Sequence, residues 1–335
     1  MARSRHNPVT ANRSSLALFS VLVGLSAACL LWAISSGSSG VSARDALAGL
    51  VGRGDALTQT VVLELRLPRA LSAWAVGGLL ATAGALMQVL LRNPLADPYV
   101  LGVSGGAASA ALIAMLLGIV GVALNAAAFA GALLAVALVF GLARGRGAWD
   151  PARLLLTGVV LAAGWGALIS FLLATSPASA LPGMLFWLMG DLSNASAPAP
   201  ALIVLIIGVA ASLLLARSLN ILALGDVQAA ALGVEVNLVR TLLYLGASLL
   251  TAFAVTLGGS IGFVGLVVPH MLRLAGYTDY RILLPAAALL GGVLLLGADT
   301  LARLVLAPRQ LPVGVITAGL GVPLFLYLLQ RERRT

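Results

Sequence analysis

Long apolar runs alternate with short polar stretches along the whole chain. Ten apolar segments can be marked, and most are long enough to cross a hydrocarbon core about 30 Å thick as a helix; they cover residues 16–36, 61–91, 99–118, 120–142, 153–175, 199–216, 238–258, 261–273, 281–306 and 312–330. They lack the alternation of a barrel strand, and backbone groups within lipid must be paired internally. The pattern therefore predicts an all-α, polytopic membrane bundle of about ten transmembrane helices.

Two stretches depart from this pattern. The eighth segment is short and contains Pro269, which indicates a half-helix. Residues 177–198 are rich in Pro, Ser and Ala but include Met184-Leu-Phe-Trp-Leu-Met189, which predicts a short interfacial helix on the outer side. We expect a single transmembrane domain over residues 16–330 between polar tails at 1–15 and 331–335, with the first apolar run retained because it is too long for a signal peptide.

The composition supports a membrane protein and excludes several chemistries. Hydrophobic residues make up 61% of the chain and charged residues 9%, whereas a soluble domain carries about 25% charged residues. All twenty basic residues are arginines, so a P-loop lysine and a Schiff-base lysine are both absent. Cys29 is the single cysteine and lies in the first apolar run. We therefore expect no enzyme activity, cofactor, metal site or disulfide in this chain.

The distribution of arginine predicts the orientation, because short cytoplasmic loops carry an excess of basic residues. With the N-terminus inside, fourteen arginines fall on the cytoplasmic side, namely Arg3, Arg5, Arg13, Arg92, Arg144, Arg146, Arg153, Arg217, Arg240, Arg273, Arg281, Arg331, Arg333 and Arg334. Six fall outside, namely Arg44, Arg53, Arg66, Arg69, Arg303 and Arg309. Both termini are thus predicted to be cytoplasmic, and the net charge of +9 reflects membrane orientation rather than nucleic-acid binding.

Small residues recur at four-residue intervals in the fifth and tenth segments. The fifth segment carries Gly158, Ala162 and Gly166, and the tenth pairs Gly314 with Ala318 and Thr317 with Gly321. Small residues at this spacing let helix backbones approach closely. They indicate either packing within the chain or a subunit interface or pore wall.

The apolar segments contain almost no ionisable side chains at their centres. Glu64, His270 and Asp299 all fall near segment ends. Ion-coupled carriers usually place acidic residues or histidine at mid-membrane. We therefore expect the driving energy to come from another polypeptide.

Three outer arginines are candidates for a docking surface. Arg66 and Arg69 lie at the outer start of the second crossing, and Arg303 lies one turn after Asp299 at the outer end of the ninth. They could be interfacial anchors, with Asp299 and Arg303 as an i,i+4 pair. They could instead form a basic socket for acidic side chains of an extracytoplasmic partner, since arginine pairs bidentately with carboxylates.

Two cytoplasmic connections also have distinctive sequences. In the segment 219–235, Asp226 follows Gly225 and is predicted to cap a short helix that Gly233 ends. This helix could be a docking element or an ordinary interfacial connector. The loop 92–107 has two prolines followed by clustered glycines, which indicates broken backbone against protein or a cavity, or alternatively a tight cytoplasmic hairpin.

At these residues the chain resembles the type II ABC importer permeases, which move cobalamin, ferric siderophores and haem. The resemblance spans nearly the whole chain, and its specificity lies in the order and spacing of several strings. These are Arg66-Leu-Pro-Arg69, Gly84-Ala-Leu-Met-Gln88, Arg92-Asn-Pro-Leu-Ala-Asp-Pro98, Leu101-Gly-Val-Ser-Gly-Gly-Ala107, Trp187-Leu-Met-Gly190, Leu222-Ala-Leu-Gly-Asp226, Gly262-Phe-Val-Gly-Leu-Val-Val-Pro-His270, Ala298-Asp-Thr-Leu-Ala-Arg303 and Leu311-Pro-Val-Gly-Val-Ile-Thr317.

The resemblance implies partners and a location. It implies a homodimer of ten-helix subunits in the bacterial inner membrane, with two ATP-binding subunits below and one periplasmic binding protein above. It also implies that Arg66, Arg69 and Arg303 receive acidic residues of the binding protein. The substrate would be a metal chelate, and cobalamin, a ferric siderophore and haem all remain open.

The resemblance further assigns roles at the cytoplasmic side and along the pathway. The segment 219–235 would be the coupling helix that docks on the ATPase, through Leu222, Leu224, Gly225, Asp226, Ala230, Leu232 and Gly233. The cytoplasmic gate would be approached by Asn93, Pro94, Leu95, Pro151 and Ala152. The pathway would be lined by the fifth and tenth crossings, which contain Gly158, Ala162, Gly166, Gly314 and Ala318.

Three residues depart from the family pattern. Gln310 stands where the family usually has Glu, Tyr280 where His is common, and Ala230 where a relative has Arg. These departures leave the fold unaffected and bear on the outer surface and on ATPase docking. The competing functional hypothesis is a self-contained secondary transporter or channel, which the scarcity of mid-membrane carboxylates disfavours.

Overall fold

The computed structural model describes residues 8–37, 42–50, 52–53, 55–143, 150–193, 195 and 197–332, and these fold into an all-helical bundle. Its α-helices, in chain order, are α1 Pro8–Ser35, α2 Ala43–Leu50, α3 Ala56–Thr60, α4 Leu67–Leu90, α5 Val103–Leu116, α6 Val122–Ala143, α7 Pro151–Thr175, α8 Leu181–Leu188, α9 Pro198–Leu214, α10 Ala216–Leu222, α11 Asp226–Ala231, α12 Val236–Gly258, α13 Val264–Leu274, α14 Tyr280–Leu304 and α15 Val313–Glu332. A π-helix, Val61–Arg66, joins α3 to α4, and a 3₁₀-helix, Pro98–Leu101, precedes α5.

Each of the ten predicted apolar segments contains a helix. Within the described part of the chain, six helices are long and apolar enough to cross a membrane, and the bent pair α9–α10, with an angle of 58°, would make a seventh. The apolar stretches Val103–Leu116, Val264–Leu274 and Val313–Tyr327 are shorter. The prediction of a polytopic helical membrane protein is confirmed, while the count of ten crossings stays a prediction.

The ends of the bundle differ from the predicted boundaries. Helix α1 begins at Pro8, well before residue 16, because proline is favoured in a first helical turn. Helix α15 continues to Glu332. Residues 1–7 and 333–335 of the predicted tails, and Arg144 and Arg146 among the predicted cytoplasmic arginines, lie outside the described residues.

Helix α4 occupies the centre of the bundle. It is buried along almost its whole length and packs against α14, α12, α9 and α13. Helices α1 and α7 lie at the periphery, where most of their apolar side chains are exposed. Side chains that face lipid or another subunit need not be buried within one chain, so this distribution is typical of a bundle built to be embedded.

Glycine pairs permit the closest helix contacts around α4. A Cβ atom added at Gly77 would lie 2.2 Å from the carbonyl oxygen of Gly291 on α14. One added at Gly84 would lie 1.9 Å from the carbonyl oxygen of Gly265 on α13. Neither position has space for a side chain, so the two contacts depend on glycine.

Replacing Gly84 by alanine should therefore destabilise the protein by about 1–3 kcal/mol, because the backbone of α13 must move to admit the methyl group. The matched control is Gly141→Ala in α6, where nothing lies within 4 Å of the added Cβ. That control should be neutral or slightly stabilising, since glycine weakens a helix interior. Thermal denaturation of the two purified variants compares them, and equal stability would contradict the packing described here.

One of the short helices is preceded by irregular backbone. Helix α13 follows residues 259–263, in which Phe263 has φ +72°, an uncommon value for a bulky residue. A Cβ at Gly321 of α15 would lie 2.6 Å from Cβ of Phe263, so Gly321 makes room for this turn. The predicted short eighth helix is confirmed, but Pro269 lies within it and does not break it.

Candidate functional site

The three outer arginines lie together around one buried carboxylate. Asp299 of α14 is fully buried, and Arg69 in the first turn of α4 donates to both of its oxygens, with an Nη2–Oδ1 distance of 2.8 Å and an Nε–Oδ2 distance of 3.1 Å. Arg303 lies one turn further along α14, and its Nε is 3.3 Å from Oδ2 of Asp299. The i,i+4 pair predicted from the sequence is confirmed, and Arg69 is its additional partner.

The end of α1 completes this cluster. Arg66 is 6% exposed and donates from Nη1 to the carbonyl oxygen of Ile34 at 2.7 Å. Arg303 donates from Nη2 to the carbonyl oxygen of Ala33 at 3.4 Å. The last carbonyls of a helix lack partners within the helix and carry partial negative charge, so they suit arginine donors. Three guanidinium groups and one carboxylate leave a formal excess of two positive charges.

We call Arg66, Arg69, Arg303 and Asp299 the outer arginine cluster. Gln310, which precedes α15, extends it by accepting a hydrogen bond from Nη1 of Arg69 at 2.9 Å. A glutamate at that position would neutralise part of the cluster, whereas glutamine leaves its charge in place. Sequence reasoning identified Gln310 as a departure from the family pattern but did not place it beside Arg69.

Local backbone structure sets the position of Arg66. The π-helix Val61–Arg66 runs directly into α4. Arg66 is therefore the last residue of the wider π-helical turn, and Arg69 lies in the first α-helical turn. Single π-turns are frequent at functional sites. Nothing in the sequence signals this turn. The preceding helix α3 could have been recognised, because Asp55 caps it by accepting from the backbone N–H of Thr58.

At the opposite end of the bundle, the segment 219–235 folds as predicted into short helices, but its capping differs. Gly225, with φ +122°, is the N-cap residue of α11, and no side chain caps this helix. The predicted cap by Asp226 is therefore wrong, because its carboxylate pairs with arginines instead. Gly233, with φ +80°, ends the helix as predicted, and the N–H of Val234 donates to the carbonyl of Ala229 in the Schellman arrangement.

Apolar side chains project from this segment. Leu224, Val227 and Leu232 are 62%, 84% and 62% exposed. Leu222 is buried and anchors α10 in the core, while Ala230 is exposed. Exposed apolar side chains on a short helix are typical of a docking surface or a membrane interface.

Asp226 joins three separate pieces of the cytoplasmic end. Its Oδ2 lies 2.8 Å from Nη2 of Arg240, a buried residue in the first turns of α12. It also pairs with Arg92, which follows α4 in a left-handed conformation with φ +50°. One carboxylate therefore ties the loop after α4 to α11 and α12.

Three of the five predicted gate residues, Asn93, Pro94 and Leu95, lie in the loop that begins at Arg92. The backbone N–H of Leu95 donates to Oδ1 of Asn93 at 2.9 Å, which closes a turn around the exposed Pro94. The other two predicted gate residues, Pro151 and Ala152, begin α7, which is the fifth predicted crossing. Asp150 caps this helix by accepting from the N–H of Ala152.

The second half of this loop is buried against protein, as broken backbone at membrane depth requires. Asp97 caps the 3₁₀-helix by accepting from the N–H of Tyr99. The hydroxyl of Tyr99 accepts a hydrogen bond from the N–H of Ile261 at 3.1 Å. Pro98 meets Gly265 at the start of α13, so the two irregular stretches support each other.

The small residues of the predicted pathway divide into two groups. Gly158 contacts the backbone of Val100, and Gly314 contacts that of Met189, so both serve packing within the chain. Ala162 and Gly166 are exposed on α7, and nothing lies within 4 Å of a Cβ added at Gly166. Ala318 is half-buried on α15.

No group of three His, Cys, Asp or Glu side chains comes together among the described residues. The ion pairs that the fold assembles in this part of the chain lie in the outer arginine cluster and around Asp226. In both places the charged groups are held by ion pairs and hydrogen bonds.

Two permeases of known name are similar in sequence to this chain. The cobalamin import system permease protein BtuC of Halobacterium salinarum is 45% identical over 280 residues, which cover 82% of this chain and 75% of that protein. The vitamin B12 import system permease protein BtuC of Serratia proteamaculans is 44% identical over 279 residues, which cover 82% of this chain and 83% of that protein.

This chain is also similar to a solved transporter structure and matches a family model. The structure is described as an inward-facing conformation of a transporter assigned to the metal-chelate type of ABC transporter, and it superposes with a TM-score of 0.81 and 32% identity over 94% of this chain and 98% of that one. The model of the FecCD transport family matches residues 25–331. The chain belongs to the FecCD transport family.

Proposed function

We propose that this chain is the membrane-spanning permease subunit of a binding-protein-dependent ABC importer of cobalamin or a related metal chelate. The observation that carries the proposal is the placement of an arginine cluster and an exposed apolar segment at opposite ends of one bundle, where each can serve as a docking surface. One is the outer arginine cluster, and the other is the exposed apolar surface of the segment 219–235. A chain without lysine has no P-loop, so ATP hydrolysis belongs to a separate subunit.

The partners follow from the two surfaces. A periplasmic binding protein would place acidic side chains against Arg66, Arg69 and Arg303, and two ATP-binding subunits would dock on the segments 219–235 of a homodimer. The exposed face of α7, with Ala162 and Gly166, supports a second copy of this chain across a central pathway, as does α15. The predicted excess of cytoplasmic arginines supports insertion in the inner membrane of a bacterium.

The same surfaces define how transport would proceed. Docking of the loaded binding protein would place the substrate over the pathway between the two copies. Closure of the ATP-binding subunits would move the segment 219–235, and Asp226 would transmit this movement to the loop 92–95 because it holds Arg92. Small apolar side chains along the pathway give it little affinity for one substrate, so specificity would reside in the binding protein.

Substrate selection can be tested with the reconstituted transporter. The chain, its ATP-binding subunit and its binding protein would be placed in proteoliposomes and supplied with labelled cobalamin, a ferric siderophore or haem. The two permeases compared above are named for the import of cobalamin, so we expect ATP-dependent uptake of cobalamin above the other two. Uptake of a siderophore or haem alone would reassign the substrate within the family, and uptake of none would contradict the proposal.

A further inference from the structure

A cavity of about 370 Å³, lined by both polar and apolar side chains, opens at the cytoplasmic end of the bundle, beside the segment 219–235. Its walls come from the end of α4, the loop after it, the turn before α11, the end of α13 and the start of α14. The residues that matter for its chemistry are Gln88, Arg92, Leu224, Arg273 and Tyr280. None of the contacts described above accounts for this space.

Arg273, in the last turn of α13, lines this cavity and has no acidic partner within the part of the chain that the structure describes. It donates to Oε1 of Gln88 and, from Nη2, to the hydroxyl of Tyr280 at 3.1 Å, and both acceptors are neutral. The ion pairs formed among the described residues do not include Arg273. At the same end of the bundle, the carboxylate of Asp226 pairs with Arg92 and Arg240, and that of Asp279 accepts hydrogen bonds from Asn220 and from the N–H of Arg281.

The groups that hold Arg273 are themselves fixed. Nε2 of Gln88 donates to the carbonyl oxygen of Leu266 at 3.2 Å, which aims Oε1 at the guanidinium group. The guanidinium carbon of Arg273 lies 5.9 Å from the centroid of the Tyr280 ring. The backbone N–H of Tyr280 donates to Oδ1 of Asn220. Arg273 is thus half-buried and held by these groups, and its side chain forms part of the cavity wall.

We propose that a carboxylate side chain of the ATP-binding subunit enters this cavity and pairs with Arg273. This inference rests on the proposed function, because it extends the same docking surface. Leu224 and Gly225 belong both to the cavity wall and to the segment 219–235, so a subunit that docks on the segment reaches the cavity mouth. A guanidinium group with only neutral acceptors favours a carboxylate, which it can bind bidentately.

The absence of lysine from the chain allows a direct test. The variant Arg273→Lys would carry the only lysine of the permease and would keep the positive charge. A carbodiimide joins an amine to a carboxylate only where the two are in contact, without a spacer. The purified complex with the ATP-binding subunit would be treated with this reagent, digested and analysed by mass spectrometry for cross-links that contain residue 273.

The control is Arg281→Lys, because Arg281 is exposed at the same end of the bundle and does not line the cavity. We expect Lys at position 273, and not at 281, to be joined to one acidic residue of the ATP-binding subunit. A cross-link from position 273 to Asp226 or another carboxylate of the permease would overturn the proposal. So would a complex that forms normally and gives no cross-link from position 273.

A charge-removing variant supplies a second measurement. Arg273→Gln should weaken binding of the ATP-binding subunit about tenfold or more and reduce the salt dependence of binding, whereas Arg281→Gln should change neither. Equal affinities for the two variants would contradict the proposal. If the wild-type chain did not bind an ATP-binding subunit at all, the proposed function itself would fail, so the two failures are distinguishable.

Discussion

Replacing both Arg66 and Arg69 by glutamate should weaken docking of the binding protein about a hundredfold or more and abolish binding-protein-dependent uptake. The double change converts a cluster with an excess of two positive charges into one with an excess of negative charge. Acidic side chains of a partner would then face like charges, and reversal of a paired interfacial charge is strongly unfavourable. Affinity of the binding protein for the permease in nanodiscs measures the effect directly.

The control reverses the same number of charges on the same predicted side of the membrane. Arg44 and Arg53 are exposed and lie outside the cluster, so the variant with glutamate at both positions should bind and transport normally. Because Arg66 is buried against Ile34, the milder pair Arg66→Gln and Arg69→Gln should be examined for the same direction of change. Normal docking by the glutamate pair would exclude the cluster as the docking surface.

The variant Asp299→Asn should destabilise the protein by about 3–5 kcal/mol. The substitution keeps the shape of the side chain but removes the carboxylate that pairs with Arg69 and Arg303, and breaking a buried pair leaves an uncompensated charge. Both guanidinium groups are largely buried, so water compensates them poorly. We expect a clear fall in the thermal denaturation temperature of the purified permease.

Asp45→Asn is the matched control for this variant. Asp45 is exposed in the first turn of α2, where it accepts a hydrogen bond from Ser42, and its loss should have little effect on stability. If Asp299→Asn were as stable as this control, Asp299 would not be the group that holds the arginines. The cluster would then be organised by the carbonyl groups of α1 alone.

The helices could be predicted from the sequence because apolar runs of this length have few alternatives in a chain with so few charges. The end of α12 at Gly258 and the end of α11 shortly before Gly233 follow directly from residue type. The π-helix before Arg66 could not be predicted, because Val61–Arg66 has the composition of an ordinary helix. The short helices α2 and α3 were missed because they are too polar and too brief to appear as apolar segments.

The outer arginine cluster was only partly predictable. The spacing of Asp299 and Arg303 predicted their ion pair, which is local to one helix. The contact of Arg69 with Asp299 joins residues that are 230 positions apart, and only the packing of α4 on α14 brings them together. For Asp226 the local sequence was misleading. Its position after Gly225 indicated a helix cap, but its carboxylate pairs with Arg92 and Arg240, which are distant in the sequence.

The central claim is that this chain provides a pathway and another subunit provides the energy. It is tested most directly by loading proteoliposomes with ATP or imposing a proton or sodium gradient, and measuring cobalamin uptake by the chain with and without its ATP-binding subunit and binding protein. We expect uptake only when ATP and both partners are present, with no uptake by the chain alone under either gradient. Gradient-driven uptake by the purified chain alone would contradict the account and identify a secondary transporter.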